Sequence, residues 1–276
     1  MQRPFRQVDV FTAEPYRGNP VAVVLDGTGL RADEMQRFAR WANVSEVTFV
    51  LPPSTEAADY RVRIFAPGGE LPFAGHPTLG TCHAWLEAGG VPRAGDVTVQ
   101  ECEVGLIRVR KTETGLAFPA PPLRRSGPVE EPMVERIASA LRIERRDILD
   151  AQWADNGPGW VAVLLESADA VLALKPGHFD FDLGVVGLTE PGEAEAMELR
   201  AFFPRDGVTM EDPVTGSLIA SVGQWMLASG RVQAPYSVRQ GTVLGRAGRA
   251  QVRVDPEGEI WVGGASVTCI SGQIEL

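Results

Sequence analysis

Two short glycine motifs offer the most direct chemistry in this chain. Gly75-His76-Pro77-Thr78 and Thr215-Gly216-Ser217 each stand ahead of an apolar stretch with helical character. The first backbone N–H groups of a helix lack intrahelical acceptors, and the helix dipole is positive there, so a helix start is a ready anion site. A polar side chain directly after each glycine, His76 and Ser217, adds convergent groups of the kind that mark small-molecule pockets. The same stretches also read as well-capped core helices, since Asp212-Pro213 supplies an N-cap followed by a first-turn proline. Their duplication favours a site. Glu46 stands at the entrance of the strand-like run Val47–Leu51. Near a closed cleft, desolvation would raise its pKa and let it act as acid and base in turn. A solvated glutamate at a strand end is the plainer reading of the same residue.

The elements that must position these residues follow from the pattern. Val8–Thr12 and Val21–Leu25 read as strands around a loop dense in turn residues, Glu14 to Pro20. Leu30–Trp41 has helical spacing and ends at Asn43, which tolerates a left-handed cap. Strands are expected at 47–51 and 60–65, a helix at 77–88 stopped by Gly89-Gly90, then strands near 97–102, 105–111 and 115–119. Five prolines in 119–132 mark an inter-domain crossing. Beyond it the order recurs: a helix at 132–141, strands near 147–155 and 160–165, a helix near 168–174, strands near 183–189 and 196–203, and a helix from Pro213 to Ser229. Thr78–Leu86 and Leu218–Leu227 are apolar on most faces, so both helices are expected to be buried within curled sheets.

The recurrence is visible in the residues themselves. Val21–Asp26 returns as Val161–Glu166, Arg63-x-Phe65-x-Pro67 as Arg200-x-Phe202-x-Pro204, and Glu70-x-Pro72-x-Ala74-Gly75 as Glu211-x-Pro213-x-Thr215-Gly216. The division expected is 1–120 and 121–276, with the final strand packing back on the first half as a variant. Two copies are too few for a solenoid. They suggest two similar lobes and a ligand cleft between them. Aligning Val47–Leu51 with Val185–Thr189 places Glu46 opposite Gly184, a carboxylate on one side only. Net charge is −10, without a basic cluster, which argues against nucleic acid. Neither a signal peptide nor a membrane-spanning run is seen, and three cysteines without CxxC fit a reducing compartment, so a cytoplasmic protein is expected. His76 and His83 are two helical turns apart, too far for a zinc pair, and no nucleotide motif appears; neither metal nor cofactor is expected.

At Val8–Thr12, Gly18-Asn19-Pro20, Asn43–Phe49, Arg63–Pro67, Glu70–Gly80 and Glu211–Ser217 the chain resembles the phenazine-biosynthesis isomerase-like family, within the diaminopimelate epimerase-like fold. Gly241-x-x-x-Gly245-Arg246 and Val262-Gly263-Gly264 also fit. The resemblance spans almost the whole chain. It implies an α+β fold of two pseudo-symmetric lobes, each a curled, mostly antiparallel sheet or barrel around a central helix, and a homodimer. It also implies an isomerase in which a glutamate at the position of Glu46 moves a proton between carbons of a cyclic amino acid. His76 and Asp212 then polarise or position the substrate, while Asn19, Gly75, Thr215, Gly216 and Ser217 bind it. Epimerases of the wider fold use one thiol at each helix start. Here those places hold Ala74/Gly75 and Thr215/Gly216, and Cys82, Cys102 and Cys269 lie elsewhere. The expectation is therefore a cofactor-independent, one-base isomerase of a small carboxylate. A non-catalytic carboxylate-binding or regulatory protein on the same scaffold is the alternative.

Overall fold

The computed structural model describes all residues, 1–276. It is a mixed α/β chain, rich in strands and with few helices, that divides into two compact units: Met1–Pro119 with Gly263–Leu276, and Ala120–Val262.

In the first unit the strands are β1 (Gln2–Val10), β2 (Asn19–Val24), β3 (Glu46–Leu51), β4 (Tyr60–Ala66), β5 (Gly69–Leu71), β6 (Val97–Cys102), β7 (Gly105–Thr112) and β8 (Gly115–Pro119). Helix α1 (Ala32–Ala42) lies between β2 and β3, and α2 (Gly75–Glu87) between β5 and β6. Asn43 ends α1 at φ 52, the left-handed cap its sequence suggests. The pairing runs β1–β2 antiparallel, β2–β3 parallel, β3–β4 and β4–β5 antiparallel, β4–β6 parallel, then β6–β7 and β7–β8 antiparallel. The chain's last strand, β18 (Ser266–Glu275), pairs antiparallel with β1.

The second unit begins with β9 (Arg125–Pro128), a strand inside the proline-rich crossing that pairs with β10 (Asp150–Asp155). Helix α3 (Glu131–Leu141) separates them. Then come β11 (Val161–Leu165), α4 (Ala168–Ala173), β12 (Leu183–Leu188), β13 (Met197–Arg205), β14 (Val208–Asp212), α5 (Gly216–Ala228), β15 (Tyr236–Gln240), β16 (Gly248–Val254) and β17 (Ile260–Gly264). Here β10–β11 is antiparallel, β11–β12 parallel, β12–β13 and β13–β14 antiparallel, β13–β15 parallel and β15–β16 antiparallel. That is the pairing sequence of β1 to β7, strand for strand. The internal repeat is therefore a repeat of topology.

Register corrects the residue alignment of that repeat. Val47 pairs with Phe65, and Phe202, the repeat mate of Phe65, pairs with Leu183. Leu183 is thus the counterpart of Val47, and Asp182 that of Glu46; the match of Glu46 with Gly184 is overturned. The cores agree, since Val47, Phe49 and Phe65 share one cluster while Leu183, Val185 and Phe202 share the other. Side chains repeat every two residues along a strand, so a slip of two keeps every face and leaves no trace in the hydrophobic pattern. The first block shifts too: Ala22 pairs with Val47 and Val161 with Leu183, which makes Val161 the mate of Ala22 rather than of Val21.

Both motif-bearing helices are buried nearly all round, α2 continuously from Gly75 to Cys82. Gly80 permits this in α2, because a Cβ there would lie 2.3 Å from Val21 Cγ1 and 2.9 Å from Val10 Cγ2. No helix is long and apolar enough to cross a membrane.

Candidate functional site

In the first unit, β3 and the start of α2 bring Glu46 and His76 together. Glu46 opens β3 and His76 is the second residue of α2. Glu46 Oε2 lies 3.2 Å from His76 Nε2, with the two side chains 16% and 7% exposed. The ring also donates a hydrogen bond to the Pro20 carbonyl. Because Nε2 makes no hydrogen bond, that donor is Nδ1–H. Burial pushes the His76 pKa down to about 3, against which the Pro20 bond is a smaller opposing effect. The imidazole is accordingly neutral near pH 7, and Nε2 presents a lone pair to the carboxyl group. The contact is a carboxyl–imidazole pair rather than an ion pair.

Asn19 is fully buried at the start of β2, one residue before Pro20, and Ser45 Oγ lies 3.5 Å from its Oδ1. Gly75 is the first residue of α2, ahead of His76. Its N-cap, Ala74, has no side chain to turn onto the free N–H groups, and the first turn carries no acidic residue. The helix start thus carries no side-chain cap.

In the second unit the expected N-cap at Asp212 is corrected. Asp212 ends β14, Pro213 lies outside the helix, and Thr215 is the N-cap of α5. The reason is pairing: Asp212 is held opposite Ala201 of β13, which extends the strand to the residue before the proline. The Thr215 hydroxyl does not cap the helix. It donates to Asp212 Oδ2 at 2.6 Å, leaving the N–H groups at Gly216 and Ser217 without a side-chain cap.

Residues that no motif reveals complete this end of the unit. Trp160 Nε1 donates to Ser217 Oγ at 3.0 Å and Asn156 Nδ2 to the Ser217 carbonyl at 2.8 Å. An indole nitrogen only donates, so Ser217 must accept there and keeps its own proton for another acceptor. Gln240 contacts both Thr215 and Asp212. All three are buried residues that in sequence resemble ordinary core or loop positions. Asp182, the counterpart of Glu46, has its pKa raised to about 6 by burial and by the neighbouring Asp155.

The cysteines stay apart from both motifs. Cys82 is buried in α2 and its thiol is pushed up to about 11 by burial, while Cys102 and Cys269 lie on β6 and β18. His83 is half-buried, its Nε2 3.2 Å from Thr268 Oγ1.

The chain matches known proteins along nearly its whole length. Residues 8–272 match the family model described as phenazine biosynthesis-like protein. A trans-2,3-dihydro-3-hydroxyanthranilate isomerase of Pseudomonas aeruginosa is 36% identical, across 91% of this chain and 90% of its own. "Antisense-enhancing sequence 1" of Schizosaccharomyces pombe is 35% identical across 99% of this chain and 98% of its own. A crystal structure of a Bacillus anthracis phenazine biosynthesis protein of the PhzF family superposes with a TM-score of 0.84 at 26% identity, covering both chains entirely.

Proposed function

Since this chain belongs to the phenazine biosynthesis-like family and is an isomerase, we propose that it moves a single proton on a small carboxylate, cyclic or amino-acid-like, with Glu46 as the one base and without a cofactor. The observation that carries this reading is the buried contact of Glu46 with neutral His76. A lone pair on Nε2 and a carboxylate oxygen repel at 3.2 Å; one proton between them turns the repulsion into a hydrogen bond. The pair therefore suits a base that takes a proton from one carbon of the substrate, holds it against the imidazole and returns it to another carbon. General acid–base catalysis by a positioned group of this kind contributes roughly 10²- to 10⁴-fold.

His76 in this account steadies the proton on Glu46, and its depressed pKa keeps it from taking that proton outright. Asp212 positions and polarises the reacting part of the substrate. Ser217, whose hydroxyl accepts from Trp160 and keeps its own proton, and the N–H groups at Gly75 and Gly216 bind the carboxylate, with Asn19 and Thr215 as further substrate contacts. The substrate named for the Pseudomonas aeruginosa relative, trans-2,3-dihydro-3-hydroxyanthranilate, is the first to test. Turnover of it by the wild-type protein and none by Glu46→Gln supports the reading; equal rates overturn it. A homodimer in the cytoplasm is the setting we assign. Light scattering on the purified protein tests the dimer, and a monomeric mass would refute it.

A further inference from the structure

We infer that Gln240 is a positioning residue that fixes the Thr215 hydroxyl and, through it, the Asp212 carboxylate. The inference deepens the proposed role of Asp212 and rests on it. It also gives a task to Gly241, the first residue of the C-terminal glycine motif, which the reaction otherwise leaves unused.

Gln240, the last residue of β15, is 1% exposed. Its Oε1 accepts from the Thr215 N–H at 2.9 Å. Its Nε2 donates to the Asp212 carbonyl at 3.1 Å and to Thr215 Oγ1 at 2.9 Å. The carboxamide cannot be turned round, because its oxygen would then face the Asp212 carbonyl and its nitrogen the Thr215 N–H. Since Nε2 carries only hydrogens toward Thr215, the hydroxyl must accept there. Its single proton is left for Asp212 Oδ2, 2.6 Å away. The order of donation is therefore fixed, from Gln240 to Thr215 to Asp212, and the carboxylate is held as an acceptor in one orientation.

The next residue keeps the two segments close. Gly241 has φ 89, and a Cβ there would lie 2.6 Å from the Pro213 carbonyl oxygen. Any side chain would push the end of β15 off the Asp212–Thr215 motif. The corresponding strand of the first unit, β6, also carries a fully buried glutamine, Gln100. That amide is spent on Thr78 Oγ1 at 3.0 Å and the Tyr60 hydroxyl at 3.1 Å, neither of which is a motif acid or base. The relay through Thr215 thus belongs to the second unit alone.

Thr215→Val deletes the relay hydroxyl while keeping the side-chain shape, Thr215→Ser keeps the hydroxyl, and Gln240→Glu keeps the acceptor but loses the donor. With trans-2,3-dihydro-3-hydroxyanthranilate as substrate, kcat falls roughly 10- to 100-fold in T215V and in Q240E, as for loss of a hydrogen bond to a charged group. KM moves less than about threefold, T215S recovers to within about threefold, and the double variant is little worse than either single one. Wild-type kcat in T215V, or losses that multiply in the double variant, overturns the inference. Crystal structures of wild type and T215V form an arm that needs no substrate. The Asp212 carboxylate turns away in T215V, and an unmoved carboxylate refutes the relay even if Q240E does not fold. Absence of turnover in the wild type counts against the proposed function, and the crystallographic arm still decides the positioning.

Discussion

Glu46→Gln separates the proton chemistry of the carboxyl–imidazole pair from its structural part. Glu46 Oε2 and His76 Nε2 are 3.2 Å apart, and the ring is neutral with Nδ1–H bonded to Pro20. A glutamine at 46 can turn its amide N–H onto the Nε2 lone pair, so the contact survives without a titratable proton. Stability should stay within about 1 kcal/mol of wild type, the scale of one net hydrogen bond. For a chain of this size that is a change in Tm of roughly 2 to 4 °C or less. Turnover should fall by roughly 10²- to 10⁴-fold, the share carried by general acid–base catalysis. Glu46→Ala differs: it leaves no group at 46 able to hydrogen-bond the buried His76 Nε2, so it should be the less stable of the two variants by about 1 to 3 kcal/mol. The assay pairs thermal unfolding of both variants with the rate of trans-2,3-dihydro-3-hydroxyanthranilate isomerisation. An E46Q protein that turns over like wild type refutes the one-base assignment. An E46Q protein destabilised as much as E46A refutes the hydrogen-bonding argument while leaving the base untouched.

Asp182 should shape stability against pH. Its pKa is raised to about 6, so the folded state holds a proton that the unfolded chain releases from about pH 4 upward, and stability falls as pH rises through that window. Asp182→Asn should gain roughly 1 to 2 kcal/mol at pH 8, after allowance for solvent screening, and less at pH 4; denaturant unfolding at the two pH values checks this. Iodoacetamide at neutral pH should leave activity intact, since the Cys82 thiol is buried and pushed up to about 11; inactivation tracking Cys82 alkylation by mass spectrometry would restore a thiol mechanism. The repeated Arg–Glu pairs should differ in weight. Arg200–Glu211 is buried, with side chains 4% and 12% exposed, and its guanidinium also donates to the Val171 and Leu174 carbonyls, so Glu211→Ala should cost about 3 to 5 kcal/mol. Arg63–Glu70 is about a third exposed, and Glu70→Ala should cost no more than about 1 kcal/mol in the same unfolding assay.

The residues make plain why some of this is legible in sequence. Buried helices announce themselves through apolar residues on every face, and the polar His76 and Ser217 stand out against them. The strand alternation also gives the order of elements, because burial on one side imposes a period of two. That same period hides a slip of two residues, and so Asp182 is concealed behind an apparent match of Glu46 with Gly184. The N-cap fails for another reason: Asp212-Pro213 satisfies the local rule, but pairing of β14 with β13 claims Asp212 for a strand. Gln240, Trp160 and Asn156 leave no local signal at all. Each acts through a partner far away in sequence, Gln240 on Thr215 and the other two on Ser217, and only the fold brings those partners within hydrogen-bond reach.

The central claim, a single base that carries the proton both ways, is tested most directly by isotope transfer. The substrate trans-2,3-dihydro-3-hydroxyanthranilate, deuterated at the carbon that loses its proton, is converted in ordinary water by the wild-type protein, and the product is read by NMR. If Glu46 removes and returns the same proton in a site closed to water, a measurable fraction of the product carries deuterium at the new carbon. Complete washout in every turnover, or undiminished turnover by Glu46→Gln under the same conditions, contradicts it.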